Sequence, residues 1–273
     1  MHEIISSLSE QSFLLDLGSG RGSFDKTLSR GAVIRVDVEG GAAAGESLIL
    51  ADAAALPFRA GFFDAVVSNH SLEHFRDLDG ALREIGRVVK NTGALYVAVP
   101  DSTSLCDRLY RWLGRGGGHV NRFSDPRTLV ARIEQSTSLM HVATRFLLTS
   151  ISFLNPRNRK ARPPRKLLLL GGGNELILVL LSGLLRLVDR ITRTGLAVYG
   201  WAMYFGEFSV PVAAEAWANV CARCGSGHPS DWLERSGHTR WMGLLYRCPQ
   251  CRALNFFTPD TAYRHLTCAR RAP

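Results

Sequence analysis

The feature that most limits the fold lies between residues 12 and 22, where an apolar run, SFLLDL, stops at the glycine-rich turn GSGRG. Short, nearly continuously apolar segments recur from there: 12–17, 32–36, 47–50, 63–68 and 94–99. A strand that is apolar at almost every position, not at every second one, is covered on both faces. Helix- or turn-forming stretches separate these segments. A short helix is expected at 23–29. Residues 79–89 set Leu82, Ile85, Val88 and Val89 on one helical face, and Asn91-Thr92-Gly93 ends that helix. This alternation predicts an α/β fold, a Rossmann-like doubly wound sheet.

The turn itself carries chemistry. Gly18 and Gly20 let the backbone bend tightly and approach a ligand that a Cβ would repel. Dinucleotide-binding folds use a similar turn, so its surroundings decide the reading. Asp37 stands 21 residues after Asp16, at the end of the second strand, where a carboxylate can accept from both hydroxyls of a ribose. Asp52 follows the third strand and could accept from an adenine amino group.

Residues 56–58 (LPF), 63–64 (FD), 72–74 (LEH) and the stretch REIGRVVKNTG before the fifth strand then complete a pattern. Over residues 14–100 the chain closely resembles the type 11 branch of class I S-adenosylmethionine-dependent methyltransferases. The resemblance implies a seven-stranded sheet with its last strand antiparallel. It also implies S-adenosylmethionine as cofactor, with Asp16, Gly18 and Gly20 at the methionine end, Asp37 at the ribose, and Asp52 with Ala53 at the adenine. Ser19 and Asn69 complete the candidate cofactor set. The chain departs from the family in two places. Only eleven residues precede the first strand, and residues 39–46 are too few for a full crossover helix.

At the reacting end, the sequence after strand four reads Ser68-Asn69-His70-Ser71. It has neither the Pro-Pro-aromatic motif of amino-methylating DNA enzymes nor the Pro-Cys pair of cytosine C5 enzymes. His70, Glu73 and His74 stand at the mouth of the sheet, with His70 and His74 expected on one helix face. Together with His119 they are the catalytic candidates. Relatives with an E-x-x-E-H motif place a metal here, but in this chain His70 replaces the first Glu. A general base and a structural loop are the other readings.

The later chain adds three features. Residues 125–135 predict a helix capped by Ser124 or Asp125 with Pro126 in its first turn. Residues 141–150 and 196–208 read as strands six and seven, which leaves 155–193 as a helical insertion between them. That insertion opens with NPRNRKARPPRK, holding six basic residues and no acid, and runs on into a leucine-rich stretch broken by glycines 171–173. A membrane-spanning helix is therefore not expected. The alternatives are a buried helix pair over the active site and an interfacial segment on anionic headgroups. The third feature is Cys221-x-x-Cys224 and Cys248-x-x-Cys251, the spacing of a closed four-cysteine zinc ribbon. Cys106 and Cys268 read as unpaired bystanders, and Trp217, Trp232, Trp241 and Tyr246 surround the ribbon.

Charge divides the chain. Residues 1–100 hold nine Lys+Arg against thirteen Asp+Glu, whereas the whole chain is +9, so the remainder carries +13. A solvated basic face, a membrane surface and nucleic acid all fit that excess. At 46% hydrophobic residues the chain can build a core and is not expected to be disordered. The N-terminal residues lack a basic, then apolar, leader pattern.

The expected organisation is a methyltransferase domain at 1–154 and 194–215, a basic-apolar insertion at 155–193, a small C-terminal zinc ribbon at 216–258 and a tail at 259–273. The expected activity is methylation of a hydroxyl on a small-molecule, glycan or lipid-linked acceptor. The expected setting is cytoplasmic, peripheral at an anionic membrane surface, with structural zinc. An RNA base methyltransferase is the main rival, since some ribosomal RNA enzymes of this branch carry a zinc ribbon. A non-catalytic cofactor-binding subunit is the third class.

Overall fold

The computed structural model describes residues 1–20, 22–39, 48–113, 118–156, 165–212 and 218–263. Most of the segment between strands two and three (40–46), glycines 116 and 117, the basic stretch 157–164, Trp217 and the tail from 264 with Cys268 lie outside the described residues.

Strands β1 (Phe13–Leu17), β2 (Ala32–Asp37), β3 (Leu48–Leu50), β4 (Phe63–Asn69), β5 (Val89–Pro100), β6 (His141–Leu148) and β7 (Val198–Gly206) form one sheet. Their order is β3-β2-β1-β4-β5-β7-β6. β1 pairs in parallel with both β2 and β4, β2 with β3, and β4 with β5. The winding direction therefore reverses between β1 and β4. At such a switch point two loops diverge from the carboxyl ends of adjacent strands and leave a crevice for a ligand. Leu14, Leu15, Val66, Val67, Leu95 and Val97 of the central strands are fully buried. Each such side chain contributes roughly 1.5–3 kcal/mol, so the strands framing the crevice sit in the best-packed part of the sheet.

The helices are α1 (His2–Ser7), α2 (Leu78–Val88), α3 (Leu105–Leu113), α4 (Pro126–Thr137), α5 (Glu175–Thr192) and α6 (Ser230–Arg235). Two compact units emerge. One comprises Met1–Asp101, Gly118–Thr144 and Trp201–Ala213; the other comprises Ser102–Gly117, Arg145–Gly200 and Ala214–Pro273.

In the first unit the Asp77 carboxylate accepts from the Gly80 N–H at 2.8 Å and caps α2. α2 buries Leu78, Ala81, Leu82, Ile85 and Val88. It ends at Val88 because Val89 already pairs with Phe63. The Asn91-Thr92-Gly93 segment, expected to separate helix from strand, therefore belongs to β5, where the register shifts between Phe63 and Ala65. α4 starts as expected, with Pro126 first and the Asp125 carboxylate accepting from the Arg127 and Thr128 N–H groups.

The helix expected at 23–29 is reduced to one 3-10 turn, Lys26–Leu28. Arg35 reaches back from β2 to this stretch and donates to the Phe24 carbonyl at 3.0 Å.

In the second unit the insertion is a 3-10 stretch, Arg165–Gly173, followed by α5, with Asn174 accepting from the Leu176 N–H at 2.9 Å. The cysteine segment forms an antiparallel pair, β8 (Asn219–Val220) with β9 (Gly227–His228). It continues in a three-stranded antiparallel sheet, β10 (Thr239–Arg240), β11 (Leu245–Arg247) and β12 (Leu254–Phe256). α5 packs on this sheet so closely that a Cβ at Gly183 would lie 2.4 Å from the Phe256 ring. Glu175 at its start holds Arg223 through two contacts of 2.6 and 2.7 Å. Insertion and ribbon, distant in sequence, thus build one body.

Candidate functional site

β1 ends in Asp16 and Leu17, and the glycine turn follows directly. Asp16 is fully buried. Its Oδ2 accepts from the Ser23 N–H at 3.0 Å and faces Arg35 Nε at 3.6 Å, across the Asp16–Arg35 register of β1 and β2. Its Oδ1 is buried with no hydrogen-bond partner among the described residues, and the same holds for Ser19 Oγ. Burial raises the Asp16 carboxyl above its ordinary value, against the pull of Ser23 and Arg35. A cationic ligand beside this buried carboxyl would favour its charged form.

The turn is pinned from two sides. The Gly18 and Ser19 N–H groups both donate to the Val36 carbonyl, at 2.9 and 3.1 Å. Gly18 adopts a φ of +67°, and a Cβ there would lie 2.4 Å from Ser71 Cβ, so only glycine fits. At Gly20 the same construction meets nothing within 4 Å. The backbone is therefore exposed to the crevice on that side. A buried lone acceptor, a buried free hydroxyl and an open glycine together fit the amino-acid end of S-adenosylmethionine.

Asp37 is more engaged than the sequence suggests. Its Oδ2 accepts from the Gly20 N–H at 2.7 Å and its Oδ1 from the Glu39 N–H at 3.0 Å. Each carboxylate oxygen retains a second lone-pair direction, so a ribose would share this group with the turn. Asp52 is exposed and its Oδ1 accepts from the Ala54 N–H at 2.9 Å; Ala53 behind it is buried. Asn69 ends β4, opposite Ala98 of β5.

The segment after β4 does not form the helix face expected for His70 and His74. His70 adopts a φ of +56°, its N–H donating to the Ala98 carbonyl at 2.9 Å. The 3-10 turn begins only at Leu72. Ser71 explains this geometry. Its hydroxyl donates to the Leu17 carbonyl at 3.0 Å and bonds Ser68 Oγ at 2.5 Å, which ties the segment to the end of β1. His70 Nδ1 lies 3.7 Å from Oε1 of the buried Glu73.

Residues 118–121 close over this turn. The Val120 and Asn121 N–H groups donate to the Glu73 carbonyl at 2.8 and 3.0 Å. Asn121 Nδ2 donates to the Leu72 and Phe75 carbonyls at 2.9 and 2.6 Å. His74 Nδ1 donates to the Gly118 carbonyl at 3.1 Å, which leaves Nε2 with its lone pair. The His74 and His119 rings stand edge to face at 5.0 Å. Glu73, His74 and His119 each bring a ligand atom within 4.8 Å of the others, and His70 is not in that group.

Two residues here were not singled out from the sequence. Ser71 carried no signal of its own. Arg35 did, as a lone cation inside the apolar strand AVIRVD.

In the second unit Cys221, Cys224, Cys248 and Cys251 converge, with Sγ–Sγ separations of 3.5 Å (Cys221–Cys251) and 3.7 Å (Cys224–Cys248). A tetrahedral zinc with four bonds of about 2.3 Å sets its sulfurs about 3.8 Å apart, so the set fits that ion. The Asn255 amide and the Arg223 N–H both donate to Cys221 Sγ at 3.4 Å, and His228 Nε2 stands 3.4 Å from Cys248 Sγ. Such donors suit thiolates. Cys106 lies outside the set, and burial pushes its thiol up to about 11.

A family model described as a methyltransferase domain, the type 11 family, matches residues 15–97. Among curated proteins, the mitochondrial arginine-hydroxylase NDUFAF5 of Danio rerio is 32% identical over 130 residues, 42% of this chain. The chain spans only 40% of that relative's length. Among solved structures, a SAM-dependent methyltransferase from Archaeoglobus fulgidus aligns with a TM-score of 0.49 and 18% identity, covering 74% of this chain and 88% of that one. A phosphoethanolamine N-methyltransferase 2 from Haemonchus contortus, bound to S-adenosylhomocysteine, aligns with a TM-score of 0.46 and 15% identity over 74% and 50%. The matched residues 15–97 run from Asp16 to the middle of β5, so the match to the methyltransferase-domain model falls on the crevice and its candidate cofactor residues.

Proposed function

We propose that the chain methylates a hydroxyl on a small-molecule, glycan or lipid-linked acceptor, with His70 as general base. The observation that carries this is the Ser71–Leu17 hydrogen bond, which fastens the His70–Glu73 segment to the glycine turn. Asp16, Ser19 and Gly20 would hold the amino-acid end of the cofactor, Asp37 its ribose, Asp52 with Ala53 its adenine, and Asn69 the wall at the end of β4. When bound, the cofactor supplies an activated methyl group on a sulfonium.

The remaining chemistry belongs to the chain. His70 is about one-third exposed, and its Nδ1 faces the Glu73 carboxylate. Nε2 would take the acceptor's proton, while the buried carboxylate holds the ring's orientation and stabilises the imidazolium. His70→Ala should lower turnover by about 10²–10⁴ with cofactor affinity unchanged. Glu73→Gln should lower turnover less and shift the pH profile. Full activity in His70→Ala would end this reading.

Cys221, Cys224, Cys248 and Cys251 would hold a structural zinc that stabilises the second unit and takes no part in turnover.

A second reading rests on Glu73, His74 and His119. Two imidazoles and a carboxylate form a set suited to non-haem iron, and the Danio rerio relative is named an arginine-hydroxylase. In that reading the chain would hydroxylate an arginine with ferrous iron, dioxygen and an electron donor. The two readings compete for Glu73. Iron-dependent dioxygen uptake, lost with chelator and in His74→Ala but kept in His70→Ala, would favour the second.

A further inference from the structure

Helix α5 carries apolar side chains on both of its sides. Towards its own unit it buries Leu178, with Val179, Leu181 and Leu185 packed on the same core. Ser182, Arg186 and Asp189 are buried there beside Leu178. Ser182 donates to the Ser150 carbonyl at 2.9 Å, and Arg186 to the Phe256 and Thr149 carbonyls at 3.3 Å each. Asp189 accepts from the Leu196 and Ala197 N–H groups at 2.6 and 2.8 Å. The opposite side carries Leu176, Leu180, Leu184, Leu187 and Ile191, exposed by 66, 52, 56, 53 and 73%. At 3.6 residues per turn these five fall within an arc of about 80°. Leu168 and Leu169, just before the helix, are 76 and 77% exposed. A single surface leucine is ordinary. A straight aliphatic row along a whole helix marks an interface.

The charge of the unit selects what covers that row. By sequence the second unit holds 21 Lys+Arg against 7 Asp+Glu, a net of +14, and the first unit is −5. A second copy docked on the row would bring +14 against +14. A polynucleotide would suit the charge and leave the leucines wet. No described helix is long and apolar enough to cross a membrane. An anionic bilayer surface satisfies both features at once. Its phosphates draw the basic unit, and its acyl boundary takes an aliphatic row lying parallel to it. Arg190 and Arg193, both exposed, stand at the C-terminal end of the row at headgroup level.

We propose that α5 docks the protein flat on an anionic lipid surface through Leu176, Leu180, Leu184, Leu187 and Ile191. The inference is independent of the acceptor and of methyl transfer, and it is read without cofactor.

The test is co-sedimentation of the full chain with vesicles of phosphatidylcholine alone or enriched in phosphatidylglycerol, across a salt series. The wild type should sediment with the anionic vesicles, less as salt rises, and little with the neutral ones. The triple variant Leu180→Gln, Leu184→Gln, Leu187→Gln should bind on the order of 100-fold more weakly. Its melting temperature and bound metal should be unchanged, because those side chains already face water. Arg190→Gln with Arg193→Gln should weaken binding less and flatten its salt dependence. Wild-type protein left in the supernatant at low salt would overturn the proposal, as would a triple variant that sediments like wild type. A wild-type dimer that the triple variant dissolves, seen by sedimentation velocity without lipid, would overturn it in favour of a second copy.

Discussion

Replacing Asp16 by asparagine keeps the side chain's shape and removes its charge, so it asks what that charge is for. In the structure Asp16 Oδ2 faces Arg35 Nε at 3.6 Å. At an effective dielectric of ~20 that attraction is about 4–5 kcal/mol. Burial nonetheless raises the carboxyl pKa, so desolvation outweighs the attraction of Arg35 and the Ser23 hydrogen bonds. An asparagine oxygen can still accept from Ser23. The unliganded variant should therefore change in stability by no more than about 1.5 kcal/mol, a few degrees in Tm for a chain of this size.

The cofactor tells the difference. An ammonium at Oδ1 would lose a charge-assisted hydrogen bond worth about 1.5–3 kcal/mol, which weakens binding by about 10- to 150-fold. Calorimetry with S-adenosylhomocysteine, beside a thermal melt of the unliganded protein, reads both quantities. The pH dependence has a definite sign. Burial raises the folded carboxyl above its ordinary value of 3.8, so the folded state binds more protons between the two. Stability from this group is greatest below 3.8 and falls as pH rises through the raised value, a dependence the variant lacks. Affinity within about threefold of wild type would refute the cofactor role. A stability loss near the full Coulomb energy would show that Asp16 serves Arg35 instead.

Other substitutions probe separate parts. Gly18→Ala combines a left-handed φ with a Cβ placed 2.4 Å from Ser71 Cβ, and should lower stability by about 2–4 kcal/mol in urea titration. Elemental analysis should find one zinc per chain, and Cys251→Ser should lose it and expose the second unit to protease while cofactor affinity stays near wild type. Cys106, buried with its thiol raised to about 11, should resist thiol reagents in the native protein and react only on unfolding; native labelling at neutral pH would contradict that burial.

The sequence by itself determined the cofactor half of the fold and the cysteine set. Both are local. A strand, a turn and the next acid sit within 22 residues, from Asp16 to Asp37, so periodicity and spacing are enough to read them. The same holds for two CxxC knuckles, whose spacing already matches a tetrahedral ion. The sequence could not say that 23–29 shrinks to one 3-10 turn, because the Arg35 contact with the Phe24 carbonyl forms only once β1 and β2 are in register. It grouped His119 with His74 as a candidate but could not give their contact, which depends on residues 118–121 closing over the Leu72–His74 turn. Tertiary structure also decided the polarity of α5. Leucines occur all round that helix, so its sequence alone does not choose a buried face. The buried polar groups choose it: the orphan backbone groups at Thr149, Leu196, Ala197 and Phe256 need partners, and Arg186 and Asp189 can satisfy them only by turning inward. The leucines opposite are left outside.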